Sequence, residues 1–365
     1  MTVPTHPQAA AAAAYIAEIV KNQPPAHSLQ QALYNSQQAF EHDVERVFFK
    51  YWLLAGHESS APNVGDYFLF EMAGESIIIV RGQDRALRAF ANVCRHRGSH
   101  ICKSQQGHAT VLVCPYHAWA YNLDGTLRSA RYMPKDFDKS AHGLKPVKLE
   151  VVEGLVFLSL ADKPLSFDIA RKTISEAFKA YGWAKAKVAH RQTYPVTANW
   201  KLAVENYLEC YHCTPSHPEY SKLHALEQPL DQIEVLNAAM EAQTQALGLD
   251  VRSFDHRVGS KTGDQSVFVF RYALYEGVKT GGPDGLPVAP LMGDFKQYDG
   301  GVTSAHFAPS SFFIAYPDHG VIYRFIPVDA HNSAMELIWL VREDAVEGKD
   351  YDLEKLTWLW TVTTE

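Results

Sequence analysis

The sequence is poor in cysteine, has no long apolar run and carries no excess of basic residues. Five cysteines among 365 residues are too few, and odd in number, for a secreted disulfide scaffold. Asp and Glu (41) outnumber Lys and Arg (34), which argues against a nucleic-acid-binding protein. The apolar run from Gly154 to Leu160 is far shorter than the ~20 residues that cross a bilayer. The N-terminus lacks the basic start and leucine-rich segment of a signal peptide, so we expect a cytoplasmic protein.

Hydrophobic periodicity predicts three regions. Residues 1–45 form a helical segment, and Ser36 is expected to cap a helix that carries Phe40, Val44 and Phe48 on one face. Residues 46–160 contain short β runs separated by turns, including the hairpin signal NLDG. Residues 161–365 mix helices with antiparallel strands and end in a helix that begins near Asp352. Segregated helices and antiparallel strands predict an α+β fold.

The Gly/Pro-rich stretch 279–301 is too long for an ordinary connector. Segments of this length without secondary structure are usually lids, interface arms or disordered tips. We therefore expect one of these roles, and a lid or arm would suit a bulky substrate.

Two short motifs form the first candidate metal site. They are Cys94-x-His96 and Cys114-x-x-His117, which are separated by seventeen residues. Zinc also accepts two Cys and two His, but it usually pairs Cys with Cys and His with His. Here each motif supplies one thiolate and one imidazole, which resembles the Rieske motif, in which two Cys hold one iron and two His hold the other. The resemblance implies that Cys94 and Cys114 bind the inner iron of a [2Fe-2S] cluster, and that His96 and His117 bind the outer iron.

The stretch NWKLAVENYLECYHCTPSHPE provides a second candidate site. Glu205, Glu209 and His212 are predicted to share one face of a helix, and His217 follows five residues after His212. Two His and one carboxylate with open positions form the ligand set of non-haem Fe(II) oxygenases. The spacing alone is weak, but it gains weight because it follows a Rieske motif by about a hundred residues. Cys102, Cys210 and Cys213 are expected to be packed thiols.

Together the two sites resemble the catalytic (alpha) subunit of Rieske non-haem iron oxygenases over essentially the whole chain. The resemblance implies a Rieske [2Fe-2S] domain at 46–160 before a START-like (helix-grip) catalytic domain at 161–365, on which residues 1–45 pack. It implies that His212 and His217 bind the mononuclear iron. It also implies that Glu209 connects this iron to a Rieske histidine of a neighbouring subunit.

The third iron ligand of this family is a carboxylate on a late helix. The run from Trp339 to Glu365 resembles the segment that leads into that helix. The ligand is therefore expected just beyond Glu365, so that the C-terminus of the catalytic domain is apparently incomplete. Asp344, Asp350 and Asp352 precede the helix and are expected to be solvated.

The resemblance implies a terminal oxygenase that hydroxylates a small organic substrate with O2 and electrons from NAD(P)H. A flavin- or ferredoxin-type reductase would supply the electrons, and transfer between subunits implies a homotrimer. The sequence is most similar to the branch that acts on glycine betaine and other quaternary ammonium compounds, which implies N-demethylation. Such a cation needs aromatic neighbours, for which Tyr211, Phe313 and Tyr323 are candidates as well as core residues.

Three alternatives remain open at this point. The substrate could be a polyketide or acyl intermediate of a natural product. The chain could instead be a START-like binding protein with a structural zinc ion. It could also be an electron carrier with a Rieske cluster and no second iron.

Overall fold

The computed structural model describes residues 7–225, 228–251, 256–258 and 263–365, with side chains described except at 7–11, 210 and 256–258. The chain divides into two compact units. The small unit comprises Trp52–Val151 and Leu155–Pro164. The large unit comprises Met1–Tyr51, Val152–Gly154 and Leu165–Glu365, so the small unit is an insertion in the large one. Within the described residues, no helix has both the length and the apolar composition that crossing a bilayer requires.

The small unit is built from antiparallel strands. A larger sheet has the order β1-β10-β9-β4-β3-β2-β5, and a smaller one has the order β6-β7-β8. The strands are β1 (Leu53–His57), β2 (Asp66–Met72), β3 (Glu75–Arg81), β4 (Leu87–Ala91), β5 (Gln106–His108), β6 (Leu112–Val113), β7 (Ala120–Tyr121), β8 (Leu127–Ser129), β9 (Pro146–Val152) and β10 (Leu155–Ser159).

Local sequence explains two features of this unit. Strand β3 lies between β2 and β4, and its residues 76–80 are buried on both faces, which is why the run SIIIV does not alternate with polar residues. The hairpin β7–β8 turns at the predicted NLDG sequence, where Gly125 has φ +85°. A Cβ at Gly125 would lie 2.4 Å from the ring of Phe90, so both conformation and space require glycine there.

The large unit combines helices with a second antiparallel sheet, of order β11-β17-β16-β15-β14-β13-β12 in the described residues. The α+β prediction is therefore confirmed. The helices are α1 (Pro7–Lys21), α2 (Gln31–Asn35), α3 (Gln37–Asp43), α4 (Asp168–Phe178), α5 (Trp200–Leu208), α6 (Cys213–Ser216), α7 (Pro218–Ser221), α8 (Leu230–Ala246) and α9 (Leu353–Thr364). The strands are β11 (Ala186–Val196), β12 (His256–Val258), β13 (Val267–Ala273), β14 (Gly301–Phe307), β15 (Ser311–Ala315), β16 (Gly320–Pro327) and β17 (Ser333–Arg342).

The N-terminal helices are fastened to α5 by polar and aromatic contacts. The Ser36 side chain accepts a hydrogen bond from the amide of Ala39 and caps α3, as predicted. The Tyr34 hydroxyl donates to a carboxylate oxygen of Glu205 at 2.7 Å. The indole of Trp200 donates to Asp43 at 3.1 Å. These contacts hold the start of α5 in place, and α5 leads into the second candidate site.

The structure contradicts one of the roles expected for 279–301, that of a disordered tip. The segment packs into the large unit around the buried carboxylate of Asp318. This carboxylate accepts hydrogen bonds from the Thr280 hydroxyl (2.6 Å), the Val288 amide (3.1 Å) and the Tyr298 hydroxyl (3.2 Å). The segment ends at Gly301, where β14 begins. Its Gly and Pro residues permit a compact packed loop, which sequence composition does not distinguish from a mobile one.

Candidate functional site

The two Cys–His motifs lie on two loops of the small unit that fold alike. In each loop the cysteine amide donates to the carbonyl of the fifth residue after it, at 2.9 Å for Cys94 and 2.8 Å for Cys114. The fourth residue donates its amide back to the cysteine carbonyl, at 3.0 Å from both Gly98 and Ala118. These fourth residues have positive φ, +78° at Gly98 and +56° at Ala118. The repeated turn brings the Cys and His side chains of the two motifs together.

The two cysteines of these loops are buried and adjacent. Cys94 and Cys114 belong to one buried cluster, and the sulfur of Cys94 lies 3.3 Å from the hydroxyl of Tyr121. The same hydroxyl accepts the amide of Arg95 at 2.9 Å, so its proton is available to donate to Cys94. Burial raises the pKa of the Cys94 thiol. A bound metal reverses this preference, because a coordinating thiol is deprotonated.

The two histidines of these loops approach each other on the solvent side of the thiols. His96 Nδ1 lies 3.2 Å from His117 Nδ1. The His96 ring stacks on the indole of Trp119, with centroids 5.0 Å apart and planes inclined by 15°. Desolvation and the neighbouring charge of His117 lower the pKa of His96. Both causes favour the neutral imidazole, which is the form that binds a metal.

The second site lies where α5 ends, and here one sequence prediction is wrong. The Asn199 side chain caps α5 by accepting the amide of Lys201 at 3.1 Å. The helix then stops at Leu208, because Glu209 has φ −97° and ψ 65°. A 3-10 turn over Cys210–His212 follows. Glu209 and His212 therefore do not lie on the same helical face as Glu205. The carboxylate of Glu205 instead accepts a hydrogen bond from the hydroxyl of Tyr34.

The break at Glu209 orients the first histidine of this site. The Glu209 carbonyl, released from the helix, lies 2.5 Å from His212 Nδ1. A carbonyl only accepts, so Nδ1 carries the proton and Nε2 presents its lone pair. That Nε2 lies 3.2 Å from Nε2 of His217. Burial, followed by the charge of His212, lowers the pKa of His217 and keeps its imidazole neutral.

The spacing of each histidine pair fits a shared metal centre. Two nitrogens that are each about 2.1 Å from one ion, at an angle of about 100°, are about 3.2 Å apart. Both pairs have this separation. In the described part of the chain, no group of three or more His, Cys, Asp or Glu side chains is arranged to hold a metal ion. The donors thus come as pairs, a thiol pair and two imidazole pairs.

A cavity of about 580 Å³ opens beside His212 and His217. Its walls are formed by α5, by the strands β13 to β16 and by α9. Aromatic rings dominate the lining: Tyr207, Tyr220, Tyr272, Tyr323 and Trp360 share it with four phenylalanines. Neighbouring rings touch, since Tyr207 and Phe312 stack at 3.9 Å and Tyr323 meets Trp360 at 5.5 Å.

Strand alternation explains how these rings reach one surface. Phe268, Phe270 and Tyr272 occupy every second position of β13, so all three point to the same face of the sheet. Phe312 on β15 and Phe325 on β16 add to that face. The run SVFVFRYALY shows this alternation in the sequence. The sequence around it does not indicate whether the aromatic face borders a cavity or a packed core.

The structure separates the three aromatic residues that were candidates for cation binding. Tyr323 lines the cavity. Phe313 is fully buried in the core, and Tyr211 is 79% exposed, with its hydroxyl 3.3 Å from a carboxylate oxygen of Glu209. Cys102 and Cys213 are buried thiols, as predicted, whereas the side chain of Cys210 lies outside the described residues.

The acidic residues before α9 have local roles. Asp344 is an exposed partner of Arg342, and Asp350 accepts the amide of Val346 at 2.9 Å. Asp352 caps α9 through the amide of Lys355 at 2.9 Å. The carboxylates of Asp344 and Asp350 thus remain at the surface, as expected, and Asp352 confirms the predicted start of the last helix.

Comparisons with known proteins match both regions of the chain that contain the candidate sites. Residues 51–149 match the family described as Rieske [2Fe-2S] domain, and residues 183–365 match ring hydroxylating alpha subunit (catalytic domain). The chain is 34% identical to the glycine betaine monooxygenase oxygenase subunit of Pseudomonas aeruginosa, over 96% of this chain and 82% of that protein. It is 42% identical to the carnitine monooxygenase oxygenase subunit of Escherichia coli, over 52% and 51%. A crystal structure of a quaternary ammonium Rieske monooxygenase superposes with a TM-score of 0.67, at 26% identity over 91% and 82% of the two chains.

Two of these matches show the family of the chain. One is the 34% identical relative, of which 82% is covered, and the other is the catalytic family model, which matches half of the chain. The structural-zinc and electron-carrier alternatives are excluded, because both the Rieske and the catalytic families are matched in one chain. The chain therefore belongs to the Rieske non-haem iron oxygenases, as a terminal oxygenase whose cofactors are a Rieske [2Fe-2S] cluster and a mononuclear iron.

Proposed function

We propose that this oxygenase hydroxylates an N-methyl group of a quaternary ammonium compound. One atom of O2 enters a C–H bond of the methyl group and the other leaves as water, which consumes two electrons and two protons. The product, an N-hydroxymethyl ammonium, then releases formaldehyde, a proton and the tertiary amine. The observation that carries this proposal is the aromatic cavity beside His212 and His217. Relatives named for glycine betaine and carnitine support it.

Aromatic faces suit such a substrate because their negative quadrupoles attract a cation that has no N–H to donate. The rings of Tyr207, Tyr323 and Trp360 form a connected wall, with centroid distances of 5.2 Å and 5.5 Å between successive members. Tyr220 extends the wall, 5.7 Å from Trp360. A trimethylammonium group fits against such rings without losing hydrogen bonds that water had supplied.

We further propose the ligand assignments. Cys94 and Cys114 bind the inner iron of the cluster, and His96 and His117 bind the outer iron through Nδ1. His212 and His217 bind the mononuclear iron through Nε2, and a carboxylate beyond Glu365 stays the predicted third ligand.

When bound, the cluster passes electrons singly and the mononuclear iron activates O2 for attack on the substrate. The residues of this chain supply position and environment. The Glu209 carbonyl keeps the proton of His212 on Nδ1. The aromatic wall holds the methyl group near the histidine pair and excludes water from it.

The protein takes a small-molecule substrate and an electron-transfer partner, as its family implies. We propose a flavin- or ferredoxin-type reductase that draws electrons from NAD(P)H. We also propose a cytoplasmic location, where the buried thiols of Cys102 and Cys213 remain reduced.

We propose a homotrimer in which the small unit of one copy meets the large unit of the next. The small unit contains 13 Lys and Arg and 10 Asp and Glu, a net charge of +3. The large unit contains 21 Lys and Arg and 31 Asp and Glu, a net charge of −10. Opposite charges favour a head-to-tail ring. Glu209 is exposed and would join the His of one copy to the iron site of the next.

The domain bounds belong to the same proposal. They assign 1–45 to a helical segment on the catalytic domain, 46–160 to the Rieske domain and 161–365 to the catalytic domain. Tailoring of a bulky natural product loses its main support, because no described residue of the loop 279–301 lines the cavity.

Formaldehyde release tests the proposed function. The purified protein, with a surrogate NADH-dependent reductase, should release one formaldehyde per NADH consumed when a quaternary ammonium substrate is present. Product without formaldehyde, or NADH consumption that yields only hydrogen peroxide for every ammonium compound offered, would refute it.

A further inference from the structure

We infer that the substrate is a quaternary ammonium monocation whose remaining groups are neutral, rather than a carboxylated betaine. This inference rests on the proposed function and narrows it. It concerns the end of the substrate that points away from the methyl group. Both named relatives act on carboxylated zwitterions, so the inference separates this chain from them.

The charge composition of the cavity is the first argument. Among the residues that the structure describes, no Lys, Arg, Asp or Glu lines the cavity. The proposed iron would lie at the methyl end of the substrate, beside His212 and His217. A carboxylate at the other end would lose its hydration against aromatic rings and would meet no cationic side chain among the described lining residues. A quaternary ammonium loses less, because the ring faces replace part of what water provided.

The histidine on the cavity wall does not supply the missing cation. Burial lowers the pKa of His306 to about 4, so its ring is neutral near pH 7. Its Nε2 atom is buried and has no hydrogen-bond partner among the described residues. The ring also stacks on Phe312, with centroids 4.5 Å apart and planes inclined by 13°. His306 is thus committed to the wall in its uncharged form.

Neutral polar groups are present and define what the substrate can carry besides its cation. Asn206, Ser304, Thr363 and Thr364 line the cavity. The Thr364 hydroxyl lies 3.3 Å from the hydroxyl of Tyr323, next to the aromatic wall. Burial raises the pKa of Tyr323, so this phenol stays protonated and adds no negative charge. Such groups pair with a substrate hydroxyl or carbonyl and do not neutralise a carboxylate.

Direct binding measurements on the iron-loaded protein test the inference. The probes are choline, glycine betaine, carnitine and 3,3-dimethylbutan-1-ol, the uncharged isostere of choline. Choline should bind at least about tenfold more tightly than either betaine, and at least about tenfold more tightly than the isostere, as expected for a desolvated cation on an aromatic face. Formaldehyde release should follow the same order.

The other possible binding results separate three statements: the inference of a monocation, the recognition of a cation, and the proposed function. Glycine betaine or carnitine binding as tightly as choline would overturn the inference and leave the proposed N-demethylation intact, provided that formaldehyde is released. Equal binding of choline and its isostere would overturn recognition of a cation. Failure of all the ammonium probes to bind and to release formaldehyde would refute the proposed function itself.

Two pairs of substitutions test whether the preference for choline arises in this cavity. Asn206→Lys introduces a cation at the wall and should reverse the preference, with betaine bound more tightly and choline less. Asn206→Gln keeps a neutral amide at the wall, so choline should still bind more tightly than betaine. Tyr323→Leu should weaken choline about tenfold without weakening the isostere, and Tyr323→Phe should keep the preference. Thermal unfolding and iron content confirm that each variant is folded. An unchanged preference in Asn206→Lys would contradict the assignment of this cavity.

Discussion

The two histidine pairs have the same nitrogen separation but use opposite ring nitrogens. In the small unit the Nδ1 atoms of His96 and His117 face each other, and in the large unit the Nε2 atoms of His212 and His217 do so, both at 3.2 Å. Nδ1 is close to the backbone, so a metal held there would lie against the loops that carry the histidines. Nε2 is at the far end of the ring, so a metal held there would lie farther from the backbone and next to the cavity. Under the proposed assignments, the same residue type would serve a closed electron-transfer centre and an open catalytic one.

The pairs also differ in what orients them. The small-unit loops are fixed by two equivalent turns whose hydrogen bonds involve the cysteines themselves. The large-unit pair depends on a carbonyl freed by the end of a helix. One site is therefore specified by local turns, and the other by where a helix stops. The following substitutions separate these two modes.

The largest expected effect comes from removing one histidine of each pair. His212→Ala should remove the mononuclear iron and lower turnover by at least about a hundredfold, while the visible and EPR signals of the cluster stay unchanged. His117→Ala should abolish those signals and retain the mononuclear iron. Metal analysis and EPR on both variants give the comparison. Loss of both centres in either variant would contradict two independent sites.

Glu209→Ala should rank next. It should retain both iron centres yet lower turnover by about ten- to a hundredfold, because the proposed connection between neighbouring copies is lost. Single-turnover electron transfer from reduced cluster to iron is the measurement, and Tyr211→Phe is the control that removes only the hydroxyl beside this carboxylate. Full coupled activity in Glu209→Ala would contradict the bridging role.

Acid sensitivity should distinguish the large unit. Burial lowers the pKa of His224 to about 4, against about 6.5 in the unfolded chain. The unfolded chain therefore binds the proton first, so the stabilisation is complete above about pH 6.5 and is lost as the pH falls toward 4, about 3 kcal/mol for this residue. Urea unfolding at pH 7 and pH 4.5 measures it. His224→Gln removes the titrating group, and an undiminished pH dependence in that variant would refute the assignment.

The smallest effect concerns the two equivalent turns of the small unit. Ala118 adopts φ +56°, which costs a residue with a Cβ about 1 kcal/mol, so Ala118→Gly should stabilise the small unit by about that amount. Gly98→Ala should destabilise it by about 1–2 kcal/mol through backbone strain alone, since a Cβ there meets nothing within 4 Å. Thermal unfolding of the pair tests whether the turns are equivalent, and a change of the same sign in both would show that they are not.

Short-range sequence signals predicted the elements that depend on neighbours in the chain. Ser36 and Asp352 cap helices because their side chains reach an amide three residues later. Asp-Gly in NLDG predicted a hairpin because its geometry is local. The Cys–His spacings predicted metal-binding loops for the same reason.

Other expectations failed where distant residues decide. The helix of Glu205 was extended through His212, but the chain leaves helical geometry at Glu209. The composition of 279–301 permits a disordered tip, but the buried Asp318 binds three groups of this loop. Tyr211, Phe313 and Tyr323 were equivalent as sequence, and only their positions relative to the sheet face separated them.

The sequence by itself determined the chemistry of the protein, because metal donors, caps and turns act through residue type and short spacing. It therefore predicted the Rieske motif, the iron-binding histidine pair and the α+β class. The tertiary structure alone decided which nitrogen of each imidazole faces its partner, and which aromatic rings enclose the cavity. Those properties arise when distant strands and helices meet, and the burial that lowers the pKa of His306 and leaves the described cavity wall without charge arises in the same way.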